Sequence, residues 1–373
     1  MIDRNISGKY AVVGVGTSEY GNFPDKDDFH LAADAFSQAI ADSGLDKSKV
    51  DGLGICRVPH YARMAEIIGI QPRWTIQMPP HGRMSGISIL EALAALDAGY
   101  ADYVTLLYAN IGRSRRVQYG GEESPSFWDP WGFTSMGALH ALLFREHMEK
   151  YGTTTRQLAE VSVAFRKHAL LNPSAVMHKE MSIEDHESSR MICEPLRLLD
   201  YCQINDGAVC IILTSAERAK DLRKKPVYIT GVGAQDSLIN GSLPQDDFWY
   251  DALTKAGSQS YNMAGVKPKD IDALMAYDNF SPTVLFTLEG LGFCKPGESG
   301  AFVEGGTLSL GGALPTNTDG GHLSNSYMQG WALNVEAVRQ IRGECGARQV
   351  PDCEIVQYAA ATPCTRSIIY QAM

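Results

Sequence analysis

Two stretches decide the fold: SGLDKSKVDGLGI at residues 43–55 and AGVKPKDIDALMA at residues 264–276, which align without a gap 221 residues apart. Each reads as the end of a helix stopped by glycine (Gly44, Gly265), then a polar turn, then an apolar strand. The chain before each stretch matches as well. Upstream of the first, Tyr10–Val15 (YAVVGV) reads as a strand, and Leu31, Ala32, Ala35, Phe36 and Ile40 fall on helical spacing between His30 and Ser43. Upstream of the second, Val227–Val232 (VYITGV) reads as a strand and Asp251–Ala264 as a helix. Two strand–helix–strand units in the same order indicate a duplicated α/β fold with halves at 1–225 and 226–373. A repeat this long makes two similar bodies, whereas a solenoid would need many short ones.

The first half is longer, and the excess lies between about 113 and 190. This segment carries more charge and more aromatic residues and includes the loop GGEESPSFWDPWGFTS (120–135). Helical patterning resumes at Gly137–Tyr151 and Arg156–Leu171, so the segment reads as a mostly helical insertion capping the first half. Its cluster Phe127, Trp128, Trp131 and Phe133 has two readings: the lining of a pocket for a large apolar substrate, or a loop core or dimer contact. Gly207–Thr214 (GAVCIILT) is the last strand of the first half, and DLRKKP (221–226) connects to the second. In EPLRLLD, the residues Glu194, Arg197 and Asp200 suggest a structural ion-pair network ahead of that strand.

Composition excludes several classes. With 43 acidic and 33 basic side chains the net charge is −10, the opposite of a nucleic-acid-binding surface. No apolar run reaches the ~20 residues of a membrane helix, and MIDRNISGKYAVVGVG lacks the apolar core of a signal peptide. The expectation is a soluble, cytoplasmic protein. The eight cysteines show no CxxC spacing, which argues against a disulfide framework or a metal site. Cys210, inside an apolar strand, reads as a small core hydrophobe.

Four segments hold the candidate chemistry. In residues 81–110 a Gly/Ser turn enters a long helix, and such a turn offers free backbone N–H groups to an anion or oxyanion. Residues 276–294 (AYDNFSPTVLFTLEGLGFC) and 314–343 (LPTNTDGGHLSNSYMQGWALNVEAVRQIRG) each run through a polar turn into a helix. Residues 354–370 (EIVQYAAATPCTRSIIY) form a closing strand pair.

Together with the duplicated halves, these segments resemble the thiolase superfamily, in particular its sterol-carrier-protein-type branch, over essentially the whole chain. The branch pattern HDCFS matches Tyr277-Asp278-Asn279-Phe280-Ser281. NPSGG…GHPLGATG matches Asn317-Thr318-Asp319-Gly320-Gly321…Ser326-Tyr327-Met328-Gln329-Gly330, and the nucleophile turn Cys-x-Ser/Thr-Gly matches Arg83-Met84-Ser85-Gly86. The resemblance implies a duplicated five-layered αβαβα fold with an inserted loop domain and a homodimer formed through the first half's edge strand. It also implies a CoA-ester substrate whose thioester faces the loop at Gly320 and Gly321.

The departures carry the functional reading. Thiolase chemistry needs a cysteine to accept the acyl group and histidines to activate it. Here Arg83 replaces the cysteine, and Tyr277 and Tyr327 replace the two histidines. Tyrosine at both positions is similar to the thiolase-like aldolases that shorten steroid side chains. RKHALLNP (166–173), YDNFSP and NTDGGHLSNSYMQG share that likeness. It implies retro-aldol cleavage of a bulky β-hydroxyacyl-CoA to a ketone and a short acyl-CoA, with Tyr327 as the base and Tyr277 as the acid or oxyanion donor. It further implies no cofactor or metal of the chain's own and a small zinc-ribbon/OB-fold partner.

Supporting roles stay open between two readings each. Arg83 either lowers a phenol's pKa or fills the vacated cysteine site in an ion pair. Asn279 is a hydrogen-bond donor to the thioester oxygen or to a water. His322 assists proton transfer or satisfies its loop, and Asp278 orients a turn. Cys364 falls near the family's second reactive cysteine but lacks its glycine-rich setting. Arg113, Arg115 and Arg116, and likewise Arg223, Lys224 and Lys225, meet CoA phosphates or are solvated surface charge. Two rival functions remain: an acyltransferase recruiting Cys364 or Ser85 as nucleophile, and a non-catalytic acyl-CoA or lipid-binding protein. If the whole constellation is repurposed, Arg83→Cys gives no efficient thiolysis in an assay that follows CoA consumption, because both activating histidines are absent.

Overall fold

In the computed structural model, residues 5–116, 129–132, 135–237, 247–361 and 364–373 are described. Among the described residues there are eleven strands: β1 Tyr10–Thr17, β2 Gly52–Cys56, β3 Trp74–Met78, β4 Tyr103–Ile111, β5 Met191–Cys193, β6 Leu196–Arg197, β7 Asp206–Ser215, β8 Val227–Asp236, β9 Ala273–Ala276, β10 Ile355–Ala360 and β11 Cys364–Gln371. Nine of them make one sheet in the order β3-β2-β4-β7-β1-β8-β11-β10-β9, while β5 and β6 pair as a separate ribbon.

Outward from the β1/β8 seam the sheet repeats itself. β1 runs antiparallel to β7, β7 antiparallel to β4, and β4 parallel to β2. On the other side β8 runs antiparallel to β11, β11 antiparallel to β10, and β10 parallel to β9. The first half ends in β3, parallel to β2. In the second half the matching place holds a single parallel bridge, Leu274 to Thr316. The two stretches that align in sequence have the same local structure. Gly44 and Gly265 end their helices with φ of 67° and 72°, and the turns Lys47–Lys49 and Pro268–Asp270 are both 3-10.

Alternation along the strands sets the layers. Val12, Leu106, Tyr108, Ile211 and Leu213 share one apolar cluster with Met275, Val356, Ile368 and Tyr370. Between them lie helices Met84–Asp97 and Trp331–Arg342, each touching strands of both halves. The opposite faces, such as Ala11, Val13, Cys210 and Ile212, lie under the outer helix Asp28–Ser43. Helix Tyr250–Ala264 covers β8 and β11 in the same way. The result is helix, sheet, central helices, sheet, helix.

Each outer helix lies directly on the first strand of its half, and glycine makes that possible. A Cβ at Gly16 would sit 2.2 Å from Ala35 O, and one at Gly233 only 1.8 Å from Ala256 O. Arg342 ties the layers together. Its Nη1 donates to Asp42 Oδ2 (2.7 Å), Nη2 to Val13 O (3.0 Å) and Nε to Lys225 O (2.9 Å).

The insertion contributes helices Met136–Tyr151 and Thr155–Leu170, the latter opened by a Thr154/Gln157 capping box. It is locked to the second half by a buried polar knot. His147 Nε2 lies 3.2 Å from Glu289 Oε1, the Tyr250 hydroxyl donates to Glu289 Oε2, and Ser299 N–H donates to Glu289 Oε1 (3.0 Å). Of the aromatic cluster, Trp131 is 80% exposed, whereas Phe127, Trp128 and Phe133 lie outside the described residues.

The expected Glu194–Arg197–Asp200 network is corrected in its partners. Asp200 is held by His186 Nε2 (2.8 Å) and by Arg197's backbone N–H (2.8 Å). Arg197's guanidinium donates to Ser189 O (2.7 Å), and exposed Glu194 faces Arg145. The sequence could not show this, because His186 reaches Asp200 only once the insertion has folded back. Among the described residues no helix is long and apolar enough to cross a membrane.

Gly233→Val should lower stability by about 3 kcal/mol through overpacking against the helix backbone, read as a drop in the thermal unfolding midpoint.

Candidate active site

Both central helices start at a residue with left-handed backbone: Arg83 (φ 71°) before Met84–Asp97, and Gly330 (φ 86°) before Trp331–Arg342. Their N-termini converge at the end of β9, where Tyr277 follows the strand and donates its backbone N–H to Ala359 O (2.8 Å). Tyr327 lies just before the second helix, with its N–H donated to Asn205 Oδ1 (3.0 Å). The two phenols meet hydroxyl to hydroxyl at 3.1 Å. Tyr277 is 1% and Tyr327 7% exposed. Gly82 presses on the pair, since a Cβ there would lie 2.8 Å from Tyr277 Oη. Tertiary structure thus brings the two sequence-predicted tyrosines into direct contact.

Burial, reinforced by the neighbouring Tyr327, raises the Tyr277 pKa well above the ordinary phenol value, and the Arg83 guanidinium pulls it back. Tyr277 therefore rests as a neutral phenol at physiological pH. Arg83 forms no ion pair among the described residues, and its Nε is buried without a hydrogen-bond partner there. Its positive charge is felt by Tyr277, Tyr358 and His140 alike.

The Asp278 and His322 roles resolve. Asp278 accepts backbone N–H from His322 (3.0 Å) and Leu323 (3.1 Å), and so fixes the glycine-rich turn Gly321–Asn325. Gly321 is required there, because a Cβ would lie 2.3 Å from Asp278 Oδ2. Gly320 (φ 106°) turns the chain beneath Ala169. His322 Nε2 accepts the Gly330 N–H at 2.8 Å, which places the ring proton on Nδ1, 3.1 Å from Asp278 Oδ1. The ring stands edge-on to Tyr277 and Tyr327. His322 thus ties the loop at Gly330 and packs against both phenol rings.

Asn279, two residues beyond Tyr277, is buried, with Oδ1 accepting from Thr283 Oγ1 (3.0 Å). Cys364 opens β11 opposite Asp236, and no hydrogen bond among the described residues links it to either tyrosine. The basic groups lie elsewhere: Arg115 pairs with Asp28 at 3.5 Å, and Lys224 with Asp42 and Glu344.

Two residues escaped the sequence reading. Tyr358 on β10 is fully buried, with its hydroxyl 2.9 Å from Ser85 Oγ and close enough to Gly330 to exclude any side chain there. Strand alternation of Val356, Tyr358 and Ala360 toward the central layer was the available signal. The other is His140, contributed by the insertion, whose Nε2 lies 3.4 Å from Asn279 Nδ2. No local pattern separates it from an ordinary helix residue.

The architecture and site have known relatives. A family described as Thiolase C-terminal domain-like matches residues 240–363. Over 91% of this chain and 92% of the relative, 35% of residues are identical to "17-hydroxy-3-oxo-4-pregnene-20-carboxyl-CoA lyase" of Mycobacterium tuberculosis. The chain belongs to the thiolase superfamily. A second superfamily member, "Steroid side-chain-cleaving aldolase" of Thermomonospora curvata, is 33% identical over 91% of both chains. A solved thiolase-fold structure described as "Ltp2-ChsH2(DUF35) aldolase" superposes with a TM-score of 0.92, at 34% identity and 98% coverage of both chains.

Burial draws the His140 pKa down to about 3, with Arg83 adding to the drop and the hydrogen bond to Met136 O opposing it. Unfolded His140 would protonate below pH ~6.5 while the folded residue stays neutral. Its contribution to stability is therefore complete above that pH and is lost as pH falls toward 3. Denaturant unfolding between about pH 6.5 and about pH 4 should show wild-type stability falling more steeply than that of His140→Phe, by about 1 kcal/mol per pH unit.

Proposed function

We propose that this chain is a retro-aldol lyase that cleaves a bulky β-hydroxyacyl-CoA, of the steroid side-chain class, into a ketone and a short acyl-CoA. The single observation that carries the reading is the 3.1 Å contact between the Tyr277 and Tyr327 hydroxyls, at the acid–base positions of a thiolase-fold site. Two relatives spanning nine-tenths of the chain bear lyase and aldolase names that point the same way.

In this chemistry the β-hydroxyl loses its proton to one phenol as the Cα–Cβ bond breaks and the ketone forms. The electron pair of that bond becomes the thioester enolate, and a proton passed through the phenol pair reaches Cα. Net transfer is one proton from oxygen to carbon, so no cofactor is consumed. Neutral tyrosines suit a relay better than a standing phenolate, because ionising buried Tyr277 is opposed by its surroundings. The Arg83 cation and the Asn279 amide are the groups that stabilise the developing enolate oxygen. General acid–base groups contribute about 10²–10⁴-fold.

For the acyltransferase alternative the candidate nucleophiles are Cys364 and Ser85, and among the described residues no hydrogen bond links Cys364 to a histidine. Burial pushes the Cys56 thiol up to about 12 and holds Cys202 protonated as well. Ser85 is fully buried with its hydroxyl engaged by Tyr358, and no histidine or carboxylate hydrogen-bonds to it among the described residues.

Assembly is part of the proposal. Strand β3 is a sheet edge, alternating half-buried Trp74 and Ile76 with exposed Thr75 and Gln77, which suits pairing with a second copy. A small zinc-ribbon/OB-fold partner is the second component, in line with the two-part name of the solved aldolase. Exposed Leu142, Met191, Ile192 and Leu198 on the insertion and its ribbon are apolar surface available to a partner.

The test is cleavage of a β-hydroxyacyl-CoA panel by the chain with its co-purified partner, following short acyl-CoA release by mass spectrometry. Tyr277→Phe and Tyr327→Phe should each lose about 10²–10⁴-fold in kcat, with folding and CoA-ester binding retained. Activity within a few-fold of wild type in both would refute the tyrosine relay, and a covalently acylated peptide would favour the acyltransferase.

A further inference from the structure

The insertion sends one side chain to the site, and its hydrogen bonds are fully specified. His140 lies on helix Met136–Tyr151, its Nδ1 2.8 Å from Met136 O one turn earlier. A carbonyl can only accept, so Nδ1 carries the ring proton and Nε2 is a bare acceptor. That nitrogen faces Asn279 Nδ2 at 3.4 Å. The ring is clamped by stacking on Phe280, with centroids 4.1 Å apart.

Asn279 is consequently held from both ends. Its Oδ1 accepts from Thr283 Oγ1 (3.0 Å) and its Nδ2 gives one hydrogen to His140. An amide turned over would set Oδ1 against the His140 lone pair and lose that bond, whereas the Thr283 hydroxyl can accept from Nδ2 as readily as it donates to Oδ1, so His140 is what sets the orientation. The backbone carbonyl of Asn279 is fixed too, by Cys202 N–H at 3.0 Å. The second Nδ2 hydrogen has no partner among the described residues, and Asn279 stands two residues beyond Tyr277. A pre-oriented donor of this kind contributes most when it needs no reorganisation as charge develops.

We propose that His140 is a positioning residue of the active site: as an acceptor it fixes the Asn279 amide so that its second N–H is presented to the substrate oxygen. The inference rests on the aldolase reading for its substrate, but the His140–Asn279 geometry stands apart from it. It gives the insertion a direct role in the chemistry, because the acceptor comes from a helix of the first half's insertion, outside the repeated strand–helix–strand units. His140 works through Asn279 and moves no proton itself.

Two measurements on the full chain with its partner decide it. The first is a double-mutant cycle of His140→Phe and Asn279→Ala on a β-hydroxyacyl-CoA that the wild type cleaves. Phenylalanine keeps the ring against Phe280 and deletes Nε2. Each single variant should lose about tenfold in kcat with little change in KM, and the double variant should be no slower than the slower single one. Independent, multiplying losses would overturn the proposal. Thr283→Val, which removes the other anchor, replaces His140→Phe in the cycle if that variant does not fold.

The second is ¹⁵N-histidine NMR of the wild type and Asn279→Ala. The expected result is a His140 proton on Nδ1 and an Nε2 resonance that moves when Asn279 is removed. A proton on Nε2, or a resonance indifferent to Asn279→Ala, overturns the pairing even if no substrate is turned over. A chain that cleaves no β-hydroxyacyl-CoA, yet shows the expected spectrum, would instead sink the aldolase reading and leave the pairing intact.

Discussion

Strands β1 and β8 meet along only three residue pairs, Tyr10 with Ile229, Ala11 with Tyr228 and Val12 with Val227. Everything else depends on that short antiparallel seam. It joins two like sheets edge to edge and leaves one shared interior, into which each half contributes one helix. Because the halves repeat, the two helices enter the interior from equivalent places, and their N-termini meet. A cleft between two helix N-termini is electropositive and rich in free N–H groups. Chemistry that builds negative charge on oxygen is suited to such a place.

Hydroxyls, the Asn279 amide and the Arg83 cation are among the side chains gathered there. Tyr277, Tyr327, Tyr358 and Ser85 supply the hydroxyls, and Arg83 supplies the charge with no carboxylate paired to it among the described residues. Burial keeps the Cys56 and Cys202 thiols protonated. A site of this make-up favours moving a proton between oxygens over forming a covalent acyl intermediate. The histidines in it are spent on architecture: His322 accepts from the loop that carries Tyr327, and His140 accepts from Asn279. Each ring turns its Nε2 toward one of these N–H groups.

The insertion is fastened by charge buried away from water. Glu289 collects His147, Tyr250 and Ser299, and Asp200 collects His186 and the backbone of Arg197. Such buried networks favour one arrangement because a displaced insertion would leave carboxylates unpaired. Both fasten onto the helix Ser281–Gly290, which begins immediately after the Tyr277–Phe280 turn, Asp200 through Ser281 and the other through Glu289 itself. The insertion and the turn that carries Tyr277 are therefore held to the same element.

The sequence by itself determined the duplicated α/β architecture, because strand alternation, helical spacing and glycine stops are local consequences of backbone geometry. It also determined which positions carry tyrosine where the family's pattern has histidine. Helix limits differed by a residue or two, as at Asp28–Ser43 against an expected start at His30. What only the tertiary structure decided is which distant groups touch. The 3.1 Å phenol contact spans 50 residues, the Ser85–Tyr358 contact 273, and the His140–Asn279 contact 139. The fate of Arg83, without an ion pair among the described residues where one was expected as an alternative, was decided the same way. A side chain's role in a buried site is set by its neighbours' donors, acceptors and charge, and those neighbours are chosen by packing.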